Sequence, residues 1–354
     1  MDAISSVNGY MQSAKRDADG IENARPAKYP DRLWSIILAG GNGERISADI
    51  HRWMGRPIPK QYCVFVGTRS MLQHTLARAD RLGPREHQLT VVARSHQREA
   101  QSQLADRPQG TVIAQPANRN TAAGVFLPLT HIYRRDPDAT VVIYPSDHFI
   151  YPEARFIELT AHAVKAAEAL PHRLVLLGVQ PESIDLDYGW IQPGHLLWQS
   201  GNYWVRAVDQ FLEKPSYAHA VAIRKFGGLW NTLIVAVKAC TLWQIGWRCF
   251  PEIMGLFERL RCVIGTSREG PVLDAIYEAM PARNFSADLL KPATNQVSVM
   301  PMEGMLWSDW GRGERIVDTL CLLGRQPNFP MIMAGHSRRP VSNSGQNDLS
   351  RASF

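Results

Sequence analysis

Trp34-Ser35-Ile36-Ile37-Leu38 runs directly into Ala39-Gly40-Gly41-Asn42-Gly43-Glu44-Arg45, and the fold follows from reading that stretch. A short apolar run bounded by glycines predicts a buried strand that ends in a tight turn. Three glycines after such a strand let the backbone turn sharply and bring its N–H groups close to an anion, since no Cβ blocks the approach. The spacing is neither G-x-G-x-x-G opening a helix nor G-x-x-x-x-G-K-[ST]. A nicotinamide-binding oxidoreductase is therefore disfavoured. Instead Arg45 closes the loop, and Pro59-Lys60-Gln61 supplies a second cation. A polyphosphate needs such cations to hold it and to neutralise charge on a departing group.

Outward from this loop, short apolar runs alternate with longer amphipathic ones, the pattern of a parallel sheet covered by helices. Strands are expected at 33–38, 89–93, 111–114, 140–144, 174–179, 205–212, 230–237 and 297–301. Helices are expected at 71–82, where Leu72, Leu76, Ala79 and Leu82 share one face, and at 156–170, 241–260 and 314–323. No fixed-period repeat is present. Residues 1–30 and 335–354 are polar and without apolar periodicity, so flexible tails are expected on either side of one domain at 31–334.

The 354 residues are 45% hydrophobic and 20% charged, which is ordinary globular material and excludes disorder throughout. The apolar runs are too short to span a bilayer, and residues 1–30 lack an apolar signal-peptide centre. A cytoplasmic protein without a membrane partner is expected. The net charge of +6 favours anionic partners. Lys and Arg are spread along the chain without a dense basic run, so nucleic acid is not the expected partner. The five cysteines, scattered and without a CxxC pair, suggest neither disulfides nor zinc and are expected to be buried small apolar residues.

Two carboxylates complete the reading. Val141-Val142-Ile143-Tyr144-Pro145-Ser146-Asp147-His148 is an apolar strand ending in Asp, which places Asp147 at the carboxyl edge of the sheet, where ligands bind in open α/β proteins. Trp307-Ser308-Asp309-Trp310-Gly311 places Asp309 in a turn. Two carboxylates plus phosphate oxygens suit Mg²⁺. His148 is assigned no catalytic role.

With these pieces in order, the chain resembles the sugar-phosphate nucleotidyltransferases, most closely the mannose-1-phosphate guanylyltransferases, from about Leu33 to Leu323. The resemblance rests on Leu38 to Arg45, Pro59-Lys60-Gln61, Pro116 with Asn118-Arg119-Asn120-Thr121-Ala122, and Pro145-Ser146-Asp147-His148. It continues through Tyr188-Gly189-Trp190-Ile191, Phe211-Leu212-Glu213-Lys214-Pro215, Trp230-Asn231 and Trp307 to Gly311. It implies a Rossmann-like α/β fold with a mixed, mainly parallel sheet flanked by helices, the nucleotide-diphospho-sugar transferase fold. It also implies transfer of a nucleotidyl group, GMP from GTP, to mannose 1-phosphate, giving GDP-mannose for polysaccharide synthesis.

By the same resemblance Leu38, Ala39, Gly40, Gly41 and Gly43 would bind the nucleotide, with Gln115, Asn120 and Thr121 near its base. Arg45, Lys60 and Asp147 would be catalytic, with Asp147 and Asp309 on Mg²⁺. Gly189, Glu213 and Asn231 would contact the sugar and Lys214 its phosphate. A homodimer is compatible with the sequence. No hexapeptide repeat or cupin-like extension is recognised, so no second activity is expected.

The chain departs from the family pattern in three places. Residues 46–56 lengthen the approach to Lys60, Glu44 stands where a small hydroxyl residue is usual, and Leu233 replaces a glycine. Leucine is not expected to supply positive φ, so the sugar pocket is expected to be reshaped. The second reading is a nucleotide-sugar-binding regulator on the same scaffold without turnover.

Overall fold

The computed structural model describes residues 32–330, and the two expected tails lie outside the described residues. The strands are β1 (Leu33–Ala39), β2 (Gln88–Ala93), β3 (Val112–Gln115), β4 (Thr140–Pro145), β5 (Phe149–Tyr151), β6 (Leu174–Val179), β7 (Gly189–Ser200), β8 (Tyr203–Glu213), β9 (Leu229–Lys238), β10 (Val297–Pro301) and β11 (Leu306–Ser308). The helices are α1 (Ser47–Met54), α2 (Met71–Asp80), α3 (Gln97–Gln103), α4 (Asn120–Arg135), α5 (Glu153–Ala169), α6 (Tyr217–Lys225), α7 (Ala239–Cys249), α8 (Pro251–Arg261), α9 (Glu269–Ala279) and α10 (Gly313–Leu322).

Nine strands form one sheet in the order β3-β2-β1-β4-β9-β6-β10-β8-β7, and β5 pairs with β11 in a separate ribbon. β1, β2, β3 and β4 are mutually parallel, as are β6 and β10, while β8 and β9 run against their neighbours. This is the expected α/β architecture with a mainly parallel sheet.

β1 shows why these residues form a strand in the interior of the sheet. Its seven residues alternate between two apolar layers: Leu33, Ile37 and Ala39 pack into one core, Trp34 and Ile36 into the other. Ile36 and Ile37 are fully buried, and each such side chain contributes about 1.5–3 kcal/mol relative to exposure. A strand covered on both faces reads as a near-continuous apolar run, and this one does, with Ser35 its one polar residue, itself buried.

Three expectations need correction. The helix expected over 241–260 is two helices, because Pro251 has no N–H to donate and forces Phe250 out of the helical region, at φ −138° and ψ 55°. The cysteines are not uniformly buried: Cys63 is, but Cys262 and Cys321 are exposed, and no disulfide forms among the described residues. Leu233 takes up a left-handed backbone, with φ 58°, despite its side chain. Among the described residues no helix is long and apolar enough to cross a membrane.

Candidate active site

The glycine loop lies at the carboxyl end of β1, beside the ends of β2 and β4, which pair with it in parallel. Gln61 is buried, and its Nε2 donates 2.8 Å bonds to the carbonyls of both Ala39 and Gly41. Tyr62 donates its hydroxyl to Ala39 as well. The loop's carbonyls are thus tied down by the Pro59–Tyr62 segment. The N–H groups of Gly41, Asn42 and Gly43 have no intramolecular acceptor among the described residues. Successive unpaired N–H groups form an anion-binding concavity.

Two of the glycines are required by geometry. A Cβ on Gly40 would lie 2.4 Å from Nε2 of Gln115, and Gly43 has φ +63° with Lys60 against it. Gln115 is buried, and its Oε1 accepts from the hydroxyl of Tyr277 at 3.1 Å.

The loop forms one wall of a cleft of about 580 Å³. Leu38, Gly40, Gly41, Gly43, Gln115, Asn120 and Thr121 all line it, as do Arg45, Lys60, Asp147 and Lys214. Ala39 does not: it is buried beneath the loop. Glu44 also reaches the cleft, so its negative charge does stand at the mouth.

Lys60 is the hinge of the arrangement. Its side chain is buried, its ammonium lies 2.9 Å from Oδ2 of Asp147, and it donates to the backbone carbonyl of Asp309. The two acidic turns, remote in sequence, therefore meet at one ammonium. Burial alone would push both carboxyls up; the neighbouring charges and hydrogen bonds together outweigh it, led by Lys60 at Asp147 and by Lys60, Arg45, Tyr188 and Arg315 at Asp309, so both are held below the usual carboxylate range. Both are anionic at neutral pH. His148 is driven down to about 4 by burial and stays neutral. It accepts from Nε1 of Trp307 at 3.3 Å, a structural contact.

The expected sugar-binding residues also converge. Gly189 pairs in register with Glu213, and a Cβ there would lie 2.9 Å from the Glu213 carboxylate and 3.3 Å from Cβ of Asn231. Burial raises the Glu213 carboxyl against the pull of Lys214, but among the described residues no ion pair joins the two. The Leu233 N–H donates to Oδ1 of Asn231 at 3.0 Å, which leaves the amide nitrogen facing Ser286 at 3.4 Å. Leu233 itself has a positive φ. Asn120, Lys214 and Trp310 likewise have positive φ, so the non-glycine residues in this conformation cluster at the site, as stored backbone strain commonly does.

Sequence reasoning missed Gln61, Tyr188, Asp185, Ser286 and Arg315 as site residues. Gln61 and Tyr188 sit inside recognised motifs, and adjacency to Lys60 and Gly189 was their only signal. Asp185, Ser286 and Arg315 carry none.

An open α/β sheet with a glycine loop, paired carboxylates and cations at its carboxyl edge defines a phosphate-handling protein of the nucleotide-binding class. Residues 34–261 match the family model described as nucleotidyl transferase, and the chain belongs to that family. It is 33% identical over 211 residues to the xanthan biosynthesis protein XanB of Xanthomonas campestris pv. campestris (strain B100), covering 58% of this chain and 42% of that protein. It is 26% identical over 300 residues to mannose-1-phosphate guanylyltransferase 2 of Escherichia coli O157:H7, covering 80% of this chain and 59% of that one. The chain thus spans about half the length of the curated relatives it matches. Among solved structures it is similar to the mannose-1-phosphate geranyltransferase from Thermus thermophilus, with TM-score 0.68 and 25% identity over 81% of this chain and 79% of that one. A structure named mannose-6-phosphate isomerase, from Helicobacter pylori, shares the fold alone, with TM-score 0.60 at 18% identity over 78% of this chain and 99% of that one.

Proposed function

We propose that this chain transfers GMP from GTP to mannose 1-phosphate, releasing pyrophosphate, with Mg²⁺ held by Asp147 and Asp309. The observation that carries the reading is the meeting of both acidic turns at Lys60, facing a glycine loop with unpaired N–H groups. GTP and mannose are supported by the relatives named mannose-1-phosphate guanylyltransferase, at 26–31% identity.

The residues fit a magnesium ion. Asp147 and Asp309 offer two hard carboxylates, both held anionic by their surroundings, as oxygen donors. Mg²⁺ keeps several waters and takes one or two carboxylates plus substrate phosphates. When bound, it polarises the phosphoryl oxygens and neutralises charge on them.

A sugar phosphate is already ionised at neutral pH, so no protein nucleophile is needed. One of its oxygens attacks the α-phosphorus, the bond from that phosphorus to the bridging oxygen breaks, and pyrophosphate leaves with the electron pair. The loop N–H groups and Arg45 hold the triphosphate, and Lys60 stands at the reacting edge of the cleft. Lys214 takes the sugar phosphate and Glu213 accepts from the sugar hydroxyls. Such alignment supplies up to roughly 7–11 kcal/mol of the barrier.

The test is a pyrophosphate-release assay over a grid of nucleoside triphosphates and sugar 1-phosphates, with and without Mg²⁺. Release that is greatest with GTP and mannose 1-phosphate and depends on Mg²⁺ is expected. Glu44 at the cleft mouth motivates a second reading, a binding protein without turnover. Calorimetric binding of GDP-mannose with no release from any pair would select it.

A further inference from the structure

The two carboxylate oxygens of Asp309 have different surroundings. Oδ1 accepts three bonds: from the Tyr188 hydroxyl at 2.7 Å, from Nη1 of Arg315 at 2.7 Å and from the Gly311 N–H at 3.1 Å. A carboxylate oxygen offers about two lone-pair sites, so Oδ1 is saturated. Oδ2 has one hydrogen-bond partner among the described residues, the guanidinium of Arg45, whose side chain is half exposed on the glycine loop.

The donors on Oδ1 are themselves fixed. Nη1 of Arg315 also donates to the Tyr188 oxygen at 2.6 Å, and its Nη2 is held by Asp185. The guanidinium carbon sits 4.9 Å from the Tyr188 ring centroid. The Tyr188 ring packs in turn on Trp230 and Trp307, with centroids 4.8 and 5.3 Å away. Rotating the Asp309 carboxylate would break three bonds at once in a buried setting.

We propose that Tyr188 and Arg315, with Asp185 behind them, are positioning residues that aim the Asp309 carboxylate so that only Oδ2 is available to a divalent cation. Arg45 is the group that yields this oxygen when the triphosphate draws its guanidinium away. The proposal rests on the reading of Asp309 as a metal ligand. Partners that orient a metal ligand typically affect metal affinity about 10–100-fold when removed.

The test is Mn²⁺ titration followed by electron paramagnetic resonance, in the presence of a GTP analogue whose α–β bridging oxygen is a methylene. Tyr188→Phe keeps the ring contacts and removes only the hydroxyl; Arg315→Met removes the guanidinium; Arg315→Lys restores one donor. Mn²⁺ binding about 10-fold weaker in Tyr188→Phe and in Arg315→Met, with partial recovery in Arg315→Lys, is expected. In steady state the Mg²⁺ concentration for half-maximal rate rises while the rate at saturating Mg²⁺ changes less than about threefold, a split that a general loss of folded protein does not produce. Should Arg315→Met melt early because Asp185 is stranded, Tyr188→Phe carries the test alone. Unchanged Mn²⁺ affinity in Tyr188→Phe overturns the proposal and leaves the metal reading standing. A wild-type protein that binds no Mn²⁺ overturns both.

Discussion

The Lys60 ammonium lies 2.9 Å from Oδ2 of Asp147 and is bonded as well to the main chain at Asp309. One buried cation therefore sets the spacing of two acidic turns that stand far apart along the chain. The two carboxylates differ in their exposure and in their partners. Asp147 has Lys60 as its close partner and a partly exposed side chain, whereas the Asp309 side chain is buried and engages Arg45, Arg315 and Tyr188.

Asp147→Asn and Asp309→Asn are both expected to lower turnover by at least about 10²-fold, the scale for removing one preorganised electrostatic group. Both also cost stability. Breaking a buried ion pair by neutralising one partner destabilises by on the order of 3 kcal/mol: Asp147→Asn strands the buried Lys60 ammonium, and Asp309→Asn opens the network of Arg45, Arg315 and Tyr188. Paired thermal melts and rate measurements check this; an unchanged melting temperature in Asp309→Asn would contradict the assignment of Asp309 to the buried network.

Gly40→Ala puts a methyl group where the amide of Gln115 now sits. Gln115 is anchored by Tyr277, so it must turn out of its place beside the loop. The expected outcome is a KM for the nucleoside triphosphate raised about tenfold, equivalent to about 1.4 kcal/mol of binding, with KM for the sugar phosphate unchanged. Initial rates at varied concentrations of each substrate distinguish the two.

How much of this was legible beforehand depends on what each residue had to signal. The expected strands were found, because apolar runs between glycines and prolines carry their own mark. Helix α4 was missed, since Ala122 to Ile132 is buried all round and a helix without a polar face has no stripe to detect. Gly124 and Pro128 within it also read as breakers. β7 was missed because Pro193 and Gly194 interrupt it, and its pairing with β8 shifts register at several points. In the site, the loop and the two aspartates stood out by local context. Arg315 did not, because its meaning lies in a contact with Tyr188, 127 residues away, which no spacing rule encodes.

Leu233 offers a test of backbone strain. Its φ of 58° costs a leucine about 1–2 kcal/mol, while its side chain packs partly buried against the core. Leu233→Ala loses the packing and keeps the strain; Leu233→Gly loses the packing and relieves it. The glycine variant is expected to be the more stable of the two by about 1 kcal/mol, measured by urea unfolding. The reverse order would mean that the left-handed conformation is not present in solution.

Stability should also fall on mild acidification. Burial lowers His131 and His148 to about 4 from an ordinary 6.5. Between those values the unfolded chain binds protons that the folded one refuses, so stability is full above pH 6.5 and declines towards pH 4. Each histidine contributes at most about 1.4 kcal/mol per pH unit. Depressed Asp147 and Asp309 add a second loss as pH falls below 3.8, their unfolded value. His131 lies outside the cleft, and His131→Gln should flatten the decline between about pH 6.5 and 4 without altering the rate at about pH 7.5. Melting curves across that range decide it.

The most direct test is a crystal of the protein grown with Mn²⁺ and the methylene analogue of GTP, with data collected at the manganese absorption edge. An anomalous peak within coordination distance of both the Asp147 and the Asp309 carboxylates, beside phosphates seated on Gly40 to Gly43, is the predicted result. Manganese bound away from either aspartate, or a nucleotide whose phosphates avoid the glycine loop, would contradict the account.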